Sequence, residues 1–209
     1  MPAGIATNLQ TPKLNGLETL TPPVTGLPVF CRVIAALTPT SDSRIGIEVW
    51  LPISGWNGKL QSIANHESGG IYYYGDMSAG LKRNYAVAST DTGHPFTGDT
   101  SWAVGHPEKV VDYSWRAVHE MTVTAKAIIA KFYGSGPRYS YYNGCSTGGR
   151  QTLKEAQQFP DDYDGILSGS GFHYWTHQII ANVWKQQVML KDGVNGAPYL
   201  PPIKHQLVV

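Results

Sequence analysis

An α/β fold with a mostly parallel sheet is the class this sequence predicts, and three observations predict it. Short runs of strand character alternate with helical runs along most of the chain. The longest helical run, Lys109 to Phe132, carries Val111, Trp115, Val118, Met121, Ala125, Ile128 and Phe132 at steps of three and four, one apolar stripe. A strand-like run, Arg138-Tyr139-Ser140-Tyr141-Tyr142, passes through a glycine turn directly into a second helical run, Gly149 to Phe159, in which Leu153, Ala156 and Phe159 recur at helical spacing.

Taken in order, residues 1–28 are rich in Pro, Gly, Thr and Leu without a period, which predicts an irregular lead-in. Residues 29–209 are expected to form one α/β domain. Val29 to Leu37 and Arg44 to Leu51 pair as strands, the second with Ile45, Ile47 and Val49 alternating with other residues. Ser54-Gly55-Trp56-Asn57-Gly58 is a turn cluster, Lys59 to Ala64 a strand, and Asn65 to Gly70 a loop. Tyr85 to Ser89 is a buried strand that ends in the polar Thr90-Asp91-Thr92-Gly93-His94, and residues 95–108 form a loop. Gly134 and Gly136-Pro137 end the long helix. Pro160 stops the second helix, Gly165 to Gly169 is another strand, residues 174–190 are helical, and Pro201-Pro202 introduces the final tail.

Composition narrows the function classes. Only 15% of the 209 residues are charged, against about 25% in typical domains. The net charge of +1 gives no reason to expect nucleic acid or an anionic membrane as partner. No apolar run approaches the roughly 20 residues of a membrane span. Met1 to Gln10 lacks the basic residues and apolar core of a signal peptide. Low charge with plentiful Tyr (12) and Trp (6) suits a secreted hydrolase.

Gly144-Cys145-Ser146-Thr147-Gly148, between strand and helix, has the form of a nucleophile elbow. Such a turn lifts a serine hydroxyl out at the carboxyl edge of a sheet. Glycines two residues to either side remove side chains that would strike the neighbouring strand and helix. Ser146 is the candidate nucleophile, and the Thr147 N–H at the helix start is a natural donor to a developing oxyanion. The plainer alternative is a glycine turn whose serine caps the helix. Cys145 is either a small buried apolar side chain or half of a disulfide bracing the turn.

Beyond the elbow, the chain resembles the tannase/feruloyl esterase family from about Leu27 to Pro202. The resemblance runs through Phe30-Cys31-Arg32-Val33, Glu48-Val49-Trp50-Leu51-Pro52, Trp56-Asn57-Gly58-Lys59 and Ala88-Ser89-Thr90-Asp91-Thr92-Gly93-His94. It continues in Ser101-Trp102, Gly105-His106-Pro107-Glu108-Lys109, Phe159-Pro160, Tyr163-Asp164-Gly165-Ile166 and Trp175-Thr176-His177. The most specific stretch is Asn143-Gly144-Cys145-Ser146-Thr147-Gly148-Gly149-Arg150-Gln151.

The resemblance implies an α/β-hydrolase serine esterase acting on small aromatic esters of the feruloyl or galloyl type. Ser146 would form an acyl-enzyme with the help of a histidine and an aspartate. It further implies that this aspartate and histidine follow an inserted lid domain beyond Val209, that Cys145 is bonded to a cysteine absent from this chain, and that the partner of Cys31 lies upstream of Met1. On that reading the chain is a fragment missing both ends, and on its own a catalytically inactive one, at most ligand-binding. Calcium belongs to the lid; no metal ligand or cofactor is expected in this chain, since no acidic cluster here replaces that site. Many members carry paired glycines after an asparagine where this chain has Asn65-His66-Glu67-Ser68, with Gly69-Gly70 displaced. The second oxyanion donor is therefore the backbone N–H of His66, with Glu67 as the alternative.

The remaining candidates have plainer readings. His119 lies beside the apolar stripe of the long helix and reads as structural, while His94 and His106 hold loops. Asp161, Asp162 or Asp164 followed by His173 or His177 satisfies the order Ser…Asp…His, but leaves little chain to carry them over Ser146. Asp91 bonds its local loop, Glu67 is a solvated loop carboxylate, and Tyr72-Tyr73-Tyr74 either stack on an aromatic acyl group or pack in the core.

Overall fold

The apolar alternation of Ile45, Ile47, Val49 and Leu51 becomes an interior strand of a seven-stranded sheet. The structure is a computed structural model and describes residues 3–6, 25–172 and 174–190. Along the chain come β1 (Ala3–Ala6), β2 (Phe30–Leu37), β3 (Ile45–Pro52), β4 (Lys59–Ile63), α1 (Tyr74–Leu81) and β5 (Ala86–Thr90). There follow α2 (Pro107–Val111), a π-helical segment at Asp112–Arg116, α3 (Ala117–Tyr133), β6 (Tyr139–Cys145), α4 (Thr147–Gln158), β7 (Gly165–Gly169) and α5 (Trp175–Leu190). The sheet order is β1-β2-β3-β5-β4-β6-β7. The amino-terminal part is antiparallel through β1, β2, β3 and β5, and β5, β4, β6 and β7 run parallel. The sheet is thus mixed, with the elbow in its parallel part.

Both faces of β3 are covered, which is why every one of its residues is buried. On one face Ile45, Ile47, Val49 and Leu51 pack with Ala117, Val118, Met121, Ala125 and Ile129 of α3. Of the helical stripe read from the sequence, Val118, Met121 and Ala125 make that contact with Ile128 at its edge, Ala117 and Ile129 join them, and Phe132 is exposed. On the other face Trp50 meets Phe30, Val87, and Tyr74, Met77 and Leu81 of α1. Glu48, 2% exposed, also points into the protein and is fully paired. Arg32 donates Nε to Oε2 at 2.9 Å, Tyr74 donates to Oε1 at 2.8 Å, and Trp50 donates Nε1 to Oε2 at 2.9 Å. A buried carboxylate is tolerable only when so satisfied.

The predicted helix at 109–132 spans α2, the π segment and α3, and ends on Gly134 with φ +80°. Helix α1 has no counterpart in the sequence reading; its Tyr-Gly-Asp-Met-Ser-Ala-Gly-Leu carries two glycines and no clear stripe. Of the predicted lead-in at 1–28, residues 3–6 pair with β2, while residues 7–24 lie outside those described, as do His173, His205 and the tail after Pro201. Residues 172–209 form a second unit apart from residues 1–171. In that unit α5 follows Phe172, whose ring lies 5.3 Å from Trp175. Among the described residues no helix is long and apolar enough to cross a membrane.

Candidate active site

Ser146 stands on the hinge between β6 and α4 with φ +59° and ψ −118°, a conformation few residues other than glycine adopt. The residue is exposed at the carboxyl end of the parallel strands. The hinge is held by Ser146 N–H donating to Gly169 O at 3.0 Å, and by Arg150 N–H donating to Ser146 O at 3.1 Å as the first helical bond. The flanking glycines are required by close approach. A Cβ on Gly144 would lie 2.5 Å from Ala64 Cβ and 2.6 Å from the Gly148 carbonyl carbon and oxygen. One on Gly148 would lie 2.8 Å from Ala64 Cβ and 2.9 Å from Asn65 O. Thr147 is the first residue of α4, so its N–H has no acceptor within the helix and sits at the positive end of the helix dipole.

The loop Asn65–Gly70 lies against the start of α4. Asn65 is fully buried. Its N–H donates to Gln151 Oε1 at 2.9 Å, Gln151 Nε2 donates back to Asn65 Oδ1 at 3.1 Å, and Asn65 Nδ2 donates to Thr90 O at 2.8 Å. The hydroxyl of Thr147 donates to Glu67 O, and that of Tyr73 to His66 O at 3.1 Å. Glu67 itself has φ +48°. Through these bonds, His66 and Glu67 are carried to the end of the elbow strand. The His66 imidazole turns to Asp76 (Nε2 to Oδ2 3.1 Å) and meets Tyr73 edge-on at 4.5 Å. A cleft of about 360 Å³ beside the elbow is lined by Ile63, His66, Asp76, Gly144, Cys145 and Leu167, among others. The Asn65–Gln151 clasp is absent from the sequence reading; the one signal for it is Gln151 one helical turn after Thr147, hence on the same face.

Among the described residues no side chain is hydrogen-bonded to Ser146. The other predicted candidates are engaged elsewhere. His94 is buried, stacked 3.8 Å on Trp102, and bonded to Pro95 O at 2.9 Å; desolvation pulls its pKa down. His106 pairs with Asp42 at 2.6 Å, and His119 with Asp162 at 2.7 Å. In the second unit, His177 meets Tyr174 edge-on. Asp91 accepts from the Gly46 and Gly93 N–H groups, each at 2.8 Å, and burial still raises its pKa to about 6. Asp164 accepts from Ser140 N–H at 2.7 Å. Of the tyrosine run, Tyr74 is core and Tyr73 braces the His66 loop, while Tyr72 lines a separate cavity with Arg44 and Lys109.

The disulfide expected at Cys145 is not present. Cys31 and Cys145, the two cysteines of the chain, both carry free thiols. They lie on β2 and at the end of β6, with three strands between, too far apart to serve as each other's partner, and the partner expected for Cys145 is not among the chain's cysteines. Among the described residues the convergent ligand group is His119, Glu155 and Asp162, one nitrogen and two carboxylates rather than a shell of six to eight oxygens.

The family model for tannase and feruloyl esterase matches residues 31–209. The chain is 39% identical over 173 residues to an uncharacterized esterase of Xanthomonas campestris pv. campestris, covering 82% of this chain and 29% of that protein. It is 35% identical over 183 residues to feruloyl esterase B of Aspergillus niger, covering 86% of this chain and 34% of that protein. The crystal structure of feruloyl esterase B from Aspergillus oryzae superimposes with a TM-score of 0.72 at 34% identity, over 79% of this chain and 32% of that one. A tannin acyl hydrolase from Aspergillus niger, at 20% identity and TM-score 0.70, shares the fold. The chain therefore spans about a third of the length of these relatives.

Proposed function

We propose that this chain, which belongs to the tannase and feruloyl esterase family, carries the nucleophile and oxyanion donors of a serine carboxylic-ester hydrolase for small aromatic esters of the feruloyl or galloyl type. The observation that carries the reading is Ser146, exposed at φ +59° on the hinge between β6 and α4. The hydroxyl oxygen of Ser146 attacks the ester carbonyl carbon as its proton passes to a histidine base. The carbonyl oxygen becomes an oxyanion and takes hydrogen bonds from the Thr147 N–H and from the N–H of His66 or Glu67. The histidine then protonates the departing alkoxide, leaving the acid esterified to Ser146, and water releases it by the same steps in reverse order. An acyl group leaving the elbow toward the 360 Å³ cleft would lie between His66 and Leu167. The base and the aspartate that orients it come from outside the described residues, and secretion of the full-length protein belongs to the same reading.

The test is hydrolysis of methyl ferulate and methyl gallate by the full-length protein and its Ser146→Ala variant. Turnover is expected to fall by about 10⁴ to 10⁶ with the fold unchanged; retained turnover sinks the assignment. A second reading, that the 209-residue chain alone is inactive, is favoured by the absence, among the described residues, of any side chain bonded to Ser146. An active-site phosphonate decides it: an unassisted serine labels slowly, and rapid labelling of Ser146 contradicts inactivity.

A further inference from the structure

Away from the elbow, three elements bring ligand-type side chains together. His119 comes from α3, Glu155 from the third turn of α4, and Asp162 from the turn that follows α4, and their ligand atoms lie within 4.8 Å of one another. Glu155 is 1% exposed, and its Oε2 is buried with no hydrogen-bond partner. Leaving a carboxylate oxygen unpaired in the interior is costly. Among the described residues no Lys or Arg forms a salt bridge with either carboxylate. The Oδ2 of Asp162 takes the Nδ1 of His119, at 2.7 Å. The nearby ammonium of Lys126 is spent on the main-chain oxygen of Asp162. Two carboxyl groups this close and this buried need a cation or a proton.

We propose that His119, Glu155 and Asp162 form a site for one divalent transition-metal cation, Zn²⁺ by donor set. One imidazole nitrogen and two carboxylate oxygens, with water in the fourth position, are tetrahedral zinc chemistry. Two carboxylates and a neutral imidazole balance the 2+ charge. Bonds of about 2.0–2.2 Å place ligand atoms roughly 3.3 Å apart, so binding opens the 2.7 Å His119–Asp162 hydrogen bond. Phe159, stacked 3.9 Å on the His119 ring, fixes the ring plane, and the partly exposed edge of His119 gives the ion an entrance from solvent. The ion would tie α4, the helix that follows Ser146, to α3. The alternative occupant is a proton shared by the two carboxyls, consistent with the Glu155 pKa being raised to about 8 by burial and by Asp162.

Titration of the chelator-treated 209-residue chain with Zn²⁺ alone, followed by calorimetry and thermal melting, tests the site. One Zn²⁺ per chain is expected, with the melting temperature raised. Glu155→Gln and His119→Asn are expected to weaken binding at least 100-fold, while His66→Asn and His106→Asn, which break the surface His–Asp pairs, leave it unchanged. Absence of Zn²⁺ binding at millimolar concentration overturns the proposal, as does affinity untouched by Glu155→Gln, or Ca²⁺ binding as tightly as Zn²⁺. Should the variants fail to fold, X-ray absorption on the zinc-loaded native chain decides. One imidazole with oxygen ligands supports the site; sulfur or several imidazoles rejects it.

Discussion

Adding a single methyl group at Gly144 tests the geometry that makes Ser146 a nucleophile candidate. In Gly144→Ala the new Cβ lies 2.5 Å from Ala64 Cβ and 2.6 Å from the carbonyl carbon and oxygen of Gly148, where ordinary contact begins at 3.4 Å. None of these atoms sits on a side chain that can rotate away. The backbone of β6, β4 or α4 must move, and overpacking of this kind costs typically about 1–3 kcal/mol. With rigid atoms on both sides, the upper end applies. At about 2–4 °C per kcal/mol for a chain of this size, the melting temperature should fall by roughly 6–12 °C. A displacement of the elbow by even a fraction of an ångström also lowers turnover, since misplacement by about 1 Å can cost 100-fold. Ala64→Gly added to Gly144→Ala removes one of the contacts but not the Gly148 carbonyl, so rescue should be partial. The assay is differential scanning calorimetry of the 209-residue chain, with Gly75→Ala as control. Gly75 is in α1, and a Cβ there would meet nothing within 4 Å, so alanine should stabilise by about 0.5–1 kcal/mol. A Gly144→Ala chain that melts with the native one would refute the close approach and the elbow with it.

Other expectations follow from the same contacts. Gln151→Ala leaves the N–H and Oδ1 of buried Asn65 without their partner; urea unfolding should show a loss of about 1–3 kcal/mol, and ester turnover by the full-length protein should drop as the His66 loop loosens. Arg32→Met removes two bonds from buried Glu48, and chemical denaturation should register about 3 kcal/mol of destabilisation. For the metal-free chain, stability should fall as pH rises. Burial raises the folded-state pKa of Asp91 to about 6 and of Glu155 to about 8. Each carboxyl therefore contributes its full stability below its unfolded value, and that contribution is lost from there up through the folded one. The slope approaches about 1.4 kcal/mol per pH unit for each such proton. Glu155→Gln should flatten the curve between about pH 4.5 and 8, and an unchanged slope in pH-dependent melts would contradict the burial of that carboxyl.

What the sequence made legible follows from periodicity and turn chemistry. The α3 stripe, the alternation of β3 and the glycines around Ser146 each report a local rule, and each element stands where that rule puts it. Helix α1 escaped because Gly75 and Gly80 dilute its pattern and its apolar residues follow a tyrosine run that suits strand or core equally. The π segment at Asp112–Arg116 has no compositional mark at all. Partnerships between distant elements were the least visible. The Asn65–Gln151 clasp, the His66–Asp76 pair and the convergence of His119, Glu155 and Asp162 arise only when the sheet brings separate elements together. The expected disulfide was carried by resemblance alone: it needed a partner for Cys145 that neither of the chain's two cysteines supplies, and both thiols are free.

The most direct measurement is to trap the acyl-enzyme. Full-length protein mixed with a feruloyl ester and quenched in acid within the first turnovers should yield, by peptide mass spectrometry, the acyl mass on the peptide containing Ser146, and none in Ser146→Ala. An acyl adduct on another residue, or steady turnover with Ser146 replaced, would contradict the assignment of this hinge serine as the nucleophile.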